Sequence, residues 1–173
     1  MSLEIFRGAK VVVTGHTGFK GSWLSLWLSN AGASVIGISI DVVSKPSHFS
    51  AAILDNHMED VRIDIRDGEA LKSLFNSIEP DFVFHLAAQS LVQKSYEETL
   101  DTWHTNTFGT INIVEALRGL QNQCIAVLIT SDKCYDNVEW VWGYRETDLL
   151  GGPDPYSASK GAAELAIRSY VKS

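Results

Sequence analysis

Lys10-Val-Val-Val-Thr-Gly-His-Thr-Gly-Phe-Lys-Gly-Ser-Trp-Leu24 decides the fold: an apolar β run breaks into a turn with glycines three apart, and an amphipathic pattern follows. Val11 to Val13 suit a strand buried on both faces. Trp23, Leu24, Leu26, Trp27 and Leu28 recur at helical spacing, so a helix is expected to start at the last glycine. Gly15 allows the tight turn, Gly18 lets the backbone approach a pyrophosphate, and Gly21 lets helix and strand pack closely. The helix N-terminus offers unpaired N–H groups to the same anion. Standing alone, a GxxGxxG run has a second reading, a turn that binds nothing. The rest of the chain decides between them.

Working outward, strand-like and helix-like segments alternate without a repeat or linker, the pattern of a parallel α/β sheet. The first helix is expected to stop near Asn30-Ala-Gly32, and Val35 to Ile40 to form the second strand, closing on Asp41. Residues 42 to 60 read as an irregular connection with at most one short helix. Val61 to Asp64 reads as the third strand, and Asp67 is placed to cap a helix through Ile78 that Pro80 ends. Phe82 to Ala87 is the expected fourth strand. A helix over about 100 to 120 follows, then a fifth strand from Ile125 to Thr130 and a final helix from Ser157.

The 173 residues suffice for one domain, and 45% hydrophobic with 20% charged content is ordinary for a globular protein. A net charge of −7 argues against nucleic acid or an anionic membrane as a general partner. No apolar run is long enough to span a bilayer and the N-terminus lacks a signal peptide's apolar core, so the chain is expected in the cytoplasm. Cys124 and Cys134 read as reduced and without a catalytic role. His16, His48, His57, His85 and His104 lack metal-ligand spacing, and no metal is expected.

Several residues can carry chemistry. Asp41, at the tip of the second strand, is spaced from Gly15 as a ribose-binding carboxylate is in a dinucleotide fingerprint, which favours NAD. Lys20 keeps NADP open, since it can meet a 2′-phosphate. Asp64 and Ile65 either flank an adenine or are a turn aspartate beside a core isoleucine. Leu86-Ala-Ala-Gln89 leaves the fourth strand through small residues that let a cofactor lie close, and equally fit tight packing. In an α/β sheet the strand ends converge, so Gly15, Asp41, Ala87 and Thr130 are expected to open onto one side. Tyr156-Ser-Ala-Ser-Lys160 places a phenol and an ammonium one helical turn apart, where the lysine can lower the phenol's pKa and make it a base for a sugar hydroxyl. Ser131 can share that proton, and Asp132 and Lys133 can serve neighbouring carbons. Otherwise Ser-Asp-Lys is a polar turn.

With these residues in hand the chain resembles the extended short-chain dehydrogenase/reductase family of nucleotide-sugar enzymes. Gly-His-Thr-Gly-Phe-Lys-Gly-Ser-Trp-Leu, Ser-Asp-Lys-Cys-Tyr, Glu139-Trp-Val-Trp-Gly-Tyr-Arg-Glu146 and Asp154-Pro-Tyr-Ser-Ala-Ser-Lys160 look like its 4,6-dehydratases. The resemblance implies an α/β, Rossmann-type doubly wound parallel sheet with helices on both faces, NAD as cofactor and CDP-glucose as substrate. It implies oxidation at C4, loss of water across C5 and C6, and return of the hydride to C6, in the service of polysaccharide biosynthesis.

Carried onto this chain, Tyr156 is the base at the C4 hydroxyl, Lys160 tunes it and holds the nicotinamide ribose, Ser131 assists, and Asp132 protonates the departing C6 hydroxyl. Relatives acting on dTDP-glucose carry Asp-Glu where this chain has Asp132-Lys133, and their Glu is the base at C5, so Lys133 is either base or orienting group. The implied cofactor set is Gly15, Thr17, Gly18, Phe19, Lys20, Gly21, Asp41, Asp64, Ile65, Leu86, Ala87, Ala88, Gln89, Asn106, Tyr156 and Lys160. The family has a second, substrate-binding lobe beyond the Tyr-Lys helix. The chain therefore reads as one NAD-binding domain over 1–173 with that lobe absent or not included, and turnover by it alone is expected to fail. The helices near 100–120 and 157–172 are expected to pair with their copies in a homodimer or higher homo-oligomer, the alternative being that their apolar faces only cover the sheet. A 4-epimerase on the same scaffold and a dinucleotide-binding module without chemistry are the competing readings.

Overall fold

A computed structural model describes residues 3–42 and 44–173. The chain divides into two compact units, one formed by the chain up to Ala87 together with Glu115–Ile129, the other by Ala88–Val114 and Thr130–Ser173.

The first unit is built on a parallel five-stranded sheet in the order β3-β2-β1-β4-β5. Its strands are β1 (Lys10–Thr14), β2 (Ser34–Ser39), β3 (Glu59–Arg62), β4 (Phe82–His85) and β5 (Ile125–Leu128). The chain steps outward from β1 to β3 and then returns to β4 on the other side of β1. That reversal makes a doubly wound sheet of Rossmann type, with the switch point between β1 and β4. α1 (Phe19–Asn30) lies in the crossover from β1 to β2 and α3 (Gly68–Ile78) in that from β3 to β4. Val11 and Val13 join Leu28 of α1 and Val35 of β2 in one buried cluster. Val12, pointing to the opposite face, is equally inaccessible, and α3 contributes fully buried Leu71 and Phe75.

α3 follows its sequence signals closely. Asp67 accepts the Ala70 N–H at 3.0 Å as N-cap, and Glu79 leaves the helix in the left-handed region just before Pro80. α1 stops where expected and starts two residues before the last glycine. It buries Gly21, Ser22, Ser25 and Leu28, whereas Trp23 and Trp27 are more than half exposed and Trp23 stacks on His48 at 4.0 Å. Small residues on the inner side let the helix axis approach the sheet, so its indoles face outward. The 42–60 connection holds one short helix, α2 (His48–Ala51), as expected, plus a 3-10 turn at Leu54–Asn56. β3 begins and ends two residues earlier than its apolar pattern implied, leaving Asp64 beyond the strand. β4 and β5 each end two residues short of the expected limits. β5 forms one edge of the sheet, with Ile125 and Val127 exposed.

The second unit is helical. The single helix expected near 100–120 is resolved into α5 (Thr99–Trp103), a π-helical turn at His104–Phe108 and α6 (Gly109–Arg118), with α4 (Val92–Glu97) before them. Thr110 donates to the Asn106 carbonyl at 2.8 Å, a side-chain bond that competes with the regular ladder where the helix widens. α7 (Pro155–Lys172) starts two residues earlier than expected, because Asp154 caps it and Pro155 occupies its first position. No helix among the described residues is long and apolar enough to cross a membrane.

Candidate cofactor and catalytic sites

In the first unit the glycine turn sits at the switch point. Gly15 is left-handed at φ +73°, and a Cβ on it would lie 2.8 Å from the Ala87 nitrogen. Gly21, inside α1, has no room either, since its Cβ would fall 2.1 Å from the Gly15 carbonyl oxygen. Gly18 caps α1 without a side-chain bond, so the first-turn amides have no side-chain partner. A tight turn ending in uncapped amides at a topological switch point fits a diphosphate. Phe19 and Lys20 are exposed beside it.

Four side chains bond at or beside this turn, Thr17 among the residues expected from sequence and Thr14, His85 and His16 outside them. Thr14 Oγ1 accepts the Leu86 and Ala87 N–H groups, both at 3.1 Å. Its one proton is therefore directed to His85 Nδ1 at 2.7 Å, which fixes the buried His85 as acceptor there. Thr17, expected to touch cofactor, donates to the Asp41 carbonyl at 2.6 Å and lies 3.0 Å from Ser39 Oγ, tying the turn to the end of β2. His16 is wholly buried, within hydrogen-bond reach of Asp60 at 3.0 Å and edge-on to Phe49, and burial pulls its pKa down. Neither Thr14 nor His85 carries a motif signal, because their bonds join positions more than 70 residues apart.

Asp41 is exposed just beyond the end of β2, its Oδ1 accepting the Val42 N–H at 2.6 Å. Asp64 is engaged by the Arg66 guanidinium, 2.6 Å away at its shortest, which holds its carboxyl below the usual range. Ile65 beside it is buried.

In the second unit Tyr156 and Lys160 lie one turn apart on α7, 8% and 4% exposed. Asp154 accepts the Ser157 N–H at 3.0 Å and the Ser157 hydroxyl at 2.6 Å, and Ser95 of α4 accepts the Tyr156 N–H at 3.2 Å. These bonds fix the start of α7 and with it the phenol. Removing the cap in Asp154→Ala is expected to cost about 1 kcal/mol, read as a lower denaturation midpoint at unchanged slope; a midpoint equal to that of the parent chain would contradict this role. Burial pulls the Lys160 amine down to about 8.

Asn106, expected at the cofactor, is fully buried and its amide is used in full. Its Oδ1 accepts the Gln89 N–H at 2.9 Å, and its Nδ2 donates to the Gln89 carbonyl and to Ser159 Oγ, each at 3.0 Å. In this structure it clamps the segment that begins with Ala88 and Gln89 to α7.

Ser131 precedes a 3-10 turn, Asp132–Cys134. Its hydroxyl donates to Asp132 Oδ1 at 3.0 Å and accepts the Lys133 N–H at 3.2 Å. Asp132 and Lys133 are exposed. Beyond them, Tyr135 and Tyr144 stack at 5.4 Å and Trp140 tilts against Tyr144 at 5.6 Å, making an aromatic group on the 135–150 loop. Cys124 and Cys134 are free thiols, and burial pushes Cys124 to about 11.

The chain is 51% identical over 98% of its length to a CDP-glucose 4,6-dehydratase of Salmonella typhimurium, and covers 47% of that protein. Among solved structures it superposes on epimerase Mth375 of Methanothermobacter thermautotrophicus with a TM-score of 0.84 and 28% identity, covering 99% of this chain and 50% of the other. A UDP-glucose-4-epimerase of Stenotrophomonas maltophila with bound NAD superposes with a TM-score of 0.76 and 26% identity, over 93% of this chain and 48% of that one. The chain thus spans about half the length of the curated relatives it matches. The family model described as GDP-mannose 4,6 dehydratase matches residues 12–173, from the middle of β1 to the last residue, and the chain belongs to that family.

Proposed function

We propose that this chain is the cofactor-binding portion of a CDP-glucose 4,6-dehydratase, a lyase that converts CDP-glucose to CDP-4-keto-6-deoxyglucose with NAD. The likeness to the Salmonella enzyme over nearly the whole chain carries the reading. The tight, uncapped glycine turn and the buried Tyr156–Lys160 pair support it. When bound, NAD would take the hydride from C4 and return it at C6.

The chain's own residues do the rest. Amides at the start of α1 hold the diphosphate, with Gly18, Phe19 and Lys20 around them, and Asp41 accepts from the adenosine ribose hydroxyls. Tyr156 takes the proton of the C4 hydroxyl. Lys160, as a cation on the same helical face, stabilises the tyrosinate and binds the nicotinamide ribose. Ser131 donates a hydrogen bond to Asp132 in the free protein and assists at the C4 hydroxyl when sugar binds. Asp132 donates to the departing C6 hydroxyl. Lys133, exposed one residue on, acts at C5. Lys133→Met is expected to permit C4 oxidation while blocking water loss, so that the 4-keto sugar accumulates with its C6 hydroxyl intact; unimpaired formation of the 6-deoxy product would remove Lys133 from the mechanism.

The protein is cytoplasmic in this reading and supplies deoxysugars for polysaccharide. Exposed Leu100, Phe108 and Leu165 on the helices of the second unit support a homodimer through those helices. A 4-epimerase is the second reading, favoured by the epimerase folds on which the chain superposes. An epimerase has no work for an acid and base at C6 and C5, so Asp132 and Lys133 discriminate. The test is incubation of the full-length protein that contains this chain with CDP-, UDP- and dTDP-glucose, following the ultraviolet absorbance of the 4-keto-6-deoxy product. Product from CDP-glucose alone is expected. A 4-epimer formed instead would reverse the assignment.

A further inference from the structure

Lys160 is buried, yet no carboxylate forms a close ion pair with it among the described residues. The titratable groups that face it are Cys134, at the end of the 3-10 turn, and Glu164, one turn further along α7. Burial, with Glu164 next in effect, keeps the Cys134 thiol protonated, which leaves Glu164 as the anion opposite the ammonium. The half-buried Glu164 does not point freely into solvent. It accepts a hydrogen bond from the hydroxyl of Thr130, the residue just before Ser131. Between Lys160 and Glu164 the helix is pressed onto its neighbour: a Cβ on Gly161 would lie 2.7 Å from the Gly151 nitrogen and 3.1 Å from the Cys134 carbonyl oxygen. Gly151 in turn donates to that same carbonyl at 2.7 Å. The chain around Lys160 therefore has little freedom to bring another counter-charge.

We propose that Glu164, held inward by the Thr130 hydroxyl, is a positioning residue that supplies the counter-charge for Lys160 and joins α7 to the segment carrying Ser131 and Asp132. The inference rests on the reading of Lys160 as the partner of Tyr156. The Thr130 hydroxyl donates to Glu164 and so fixes the direction of its carboxyl group. Its negative charge favours the charged lysine against the opposing effect of burial. Tyr156, Lys160 and Glu164 then form one line along α7, each a turn from the next, with the carboxylate at the end away from the phenol.

The ionisation of Lys160 is measured directly by NMR titration of lysine-labelled protein, its signal assigned with Lys160→Arg, without cofactor or sugar. Glu164→Gln is expected to lower the Lys160 midpoint by about one pH unit, a tenfold change in the charged-to-neutral ratio. Thr130→Val, which keeps the shape and removes the donor, shifts it in the same direction by less, and Thr130→Ser restores the parent value. A folded Glu164→Gln chain with an unmoved midpoint overturns the proposal. So does Thr130→Ser behaving like Thr130→Val, or Thr130→Val without effect. If Glu164→Gln does not fold, the two Thr130 variants decide alone. Because no turnover is involved, failure of the dehydratase reading leaves this result interpretable. Where turnover is measured, Glu164→Gln moves the alkaline limb of the rate profile to lower pH, which a purely structural role would not do.

Discussion

In the longer protein that contains this chain, Tyr156→Phe is expected to lower the proposed turnover of CDP-glucose by about 10²–10⁴-fold, the range in which a positioned acid–base group acts, while NAD affinity and thermal midpoint stay close to those of the parent protein. The ring is buried and the residue is fixed through its backbone, its N–H donating to Ser95 and its carbonyl accepting from Ser159 at 2.7 Å. Phenylalanine keeps all of that and deletes only the hydroxyl. Steady-state kinetics with cofactor titration checks it. A variant within tenfold of the parent rate would take Tyr156 out of the C4 step.

Gly15→Ala is expected to weaken both the fold and the cofactor site. The new methyl meets two penalties at once. The left-handed backbone costs an L-residue about 1–2 kcal/mol, and displacing the Ala87 backbone adds about 1–3 kcal/mol of overpacking. The thermal midpoint should fall by about 5 °C or more, and NAD binding should weaken because the amides that would hold the diphosphate start from this turn. Gly8→Ala separates the two contributions. Gly8 has φ +75° but nothing within 4 Å of its Cβ, so it bears the conformational cost alone. Equal losses from the two variants would contradict the close approach of the β1 and β4 ends.

What could be read in the sequence was whatever is decided locally. The glycine turn, the Asp67 cap, the stop before Pro80 and the alternation of strands and helices each depend on neighbours in the chain. The Asp154 cap was equally local, though it reads as such only with the helix start known. For α1, hydrophobic spacing located the helix but carried no signal for its inner side, where close approach to the sheet selects Gly21, Ser22 and Ser25. The break in the 100–120 helix arises where Asn106 and Thr107 bond to Ser159, more than 50 residues away. Likewise the Thr130–Glu164 and Thr14–His85 bonds join elements that only the fold brings together. Motif spacing found the residues proposed to touch cofactor and sugar. It had no signal for those that hold them in place.

The account centres on one transfer within a single sugar, in which the hydrogen removed from C4 returns at C6 after water has left. CDP-glucose carrying deuterium at C4 tests this most directly when it is converted in ordinary water by the protein containing this chain and the methyl group of the product is examined. The account predicts one deuterium at C6 of each product molecule and none at C4. Deuterium retained at C4, or lost to solvent with only ordinary hydrogen at C6, would contradict it.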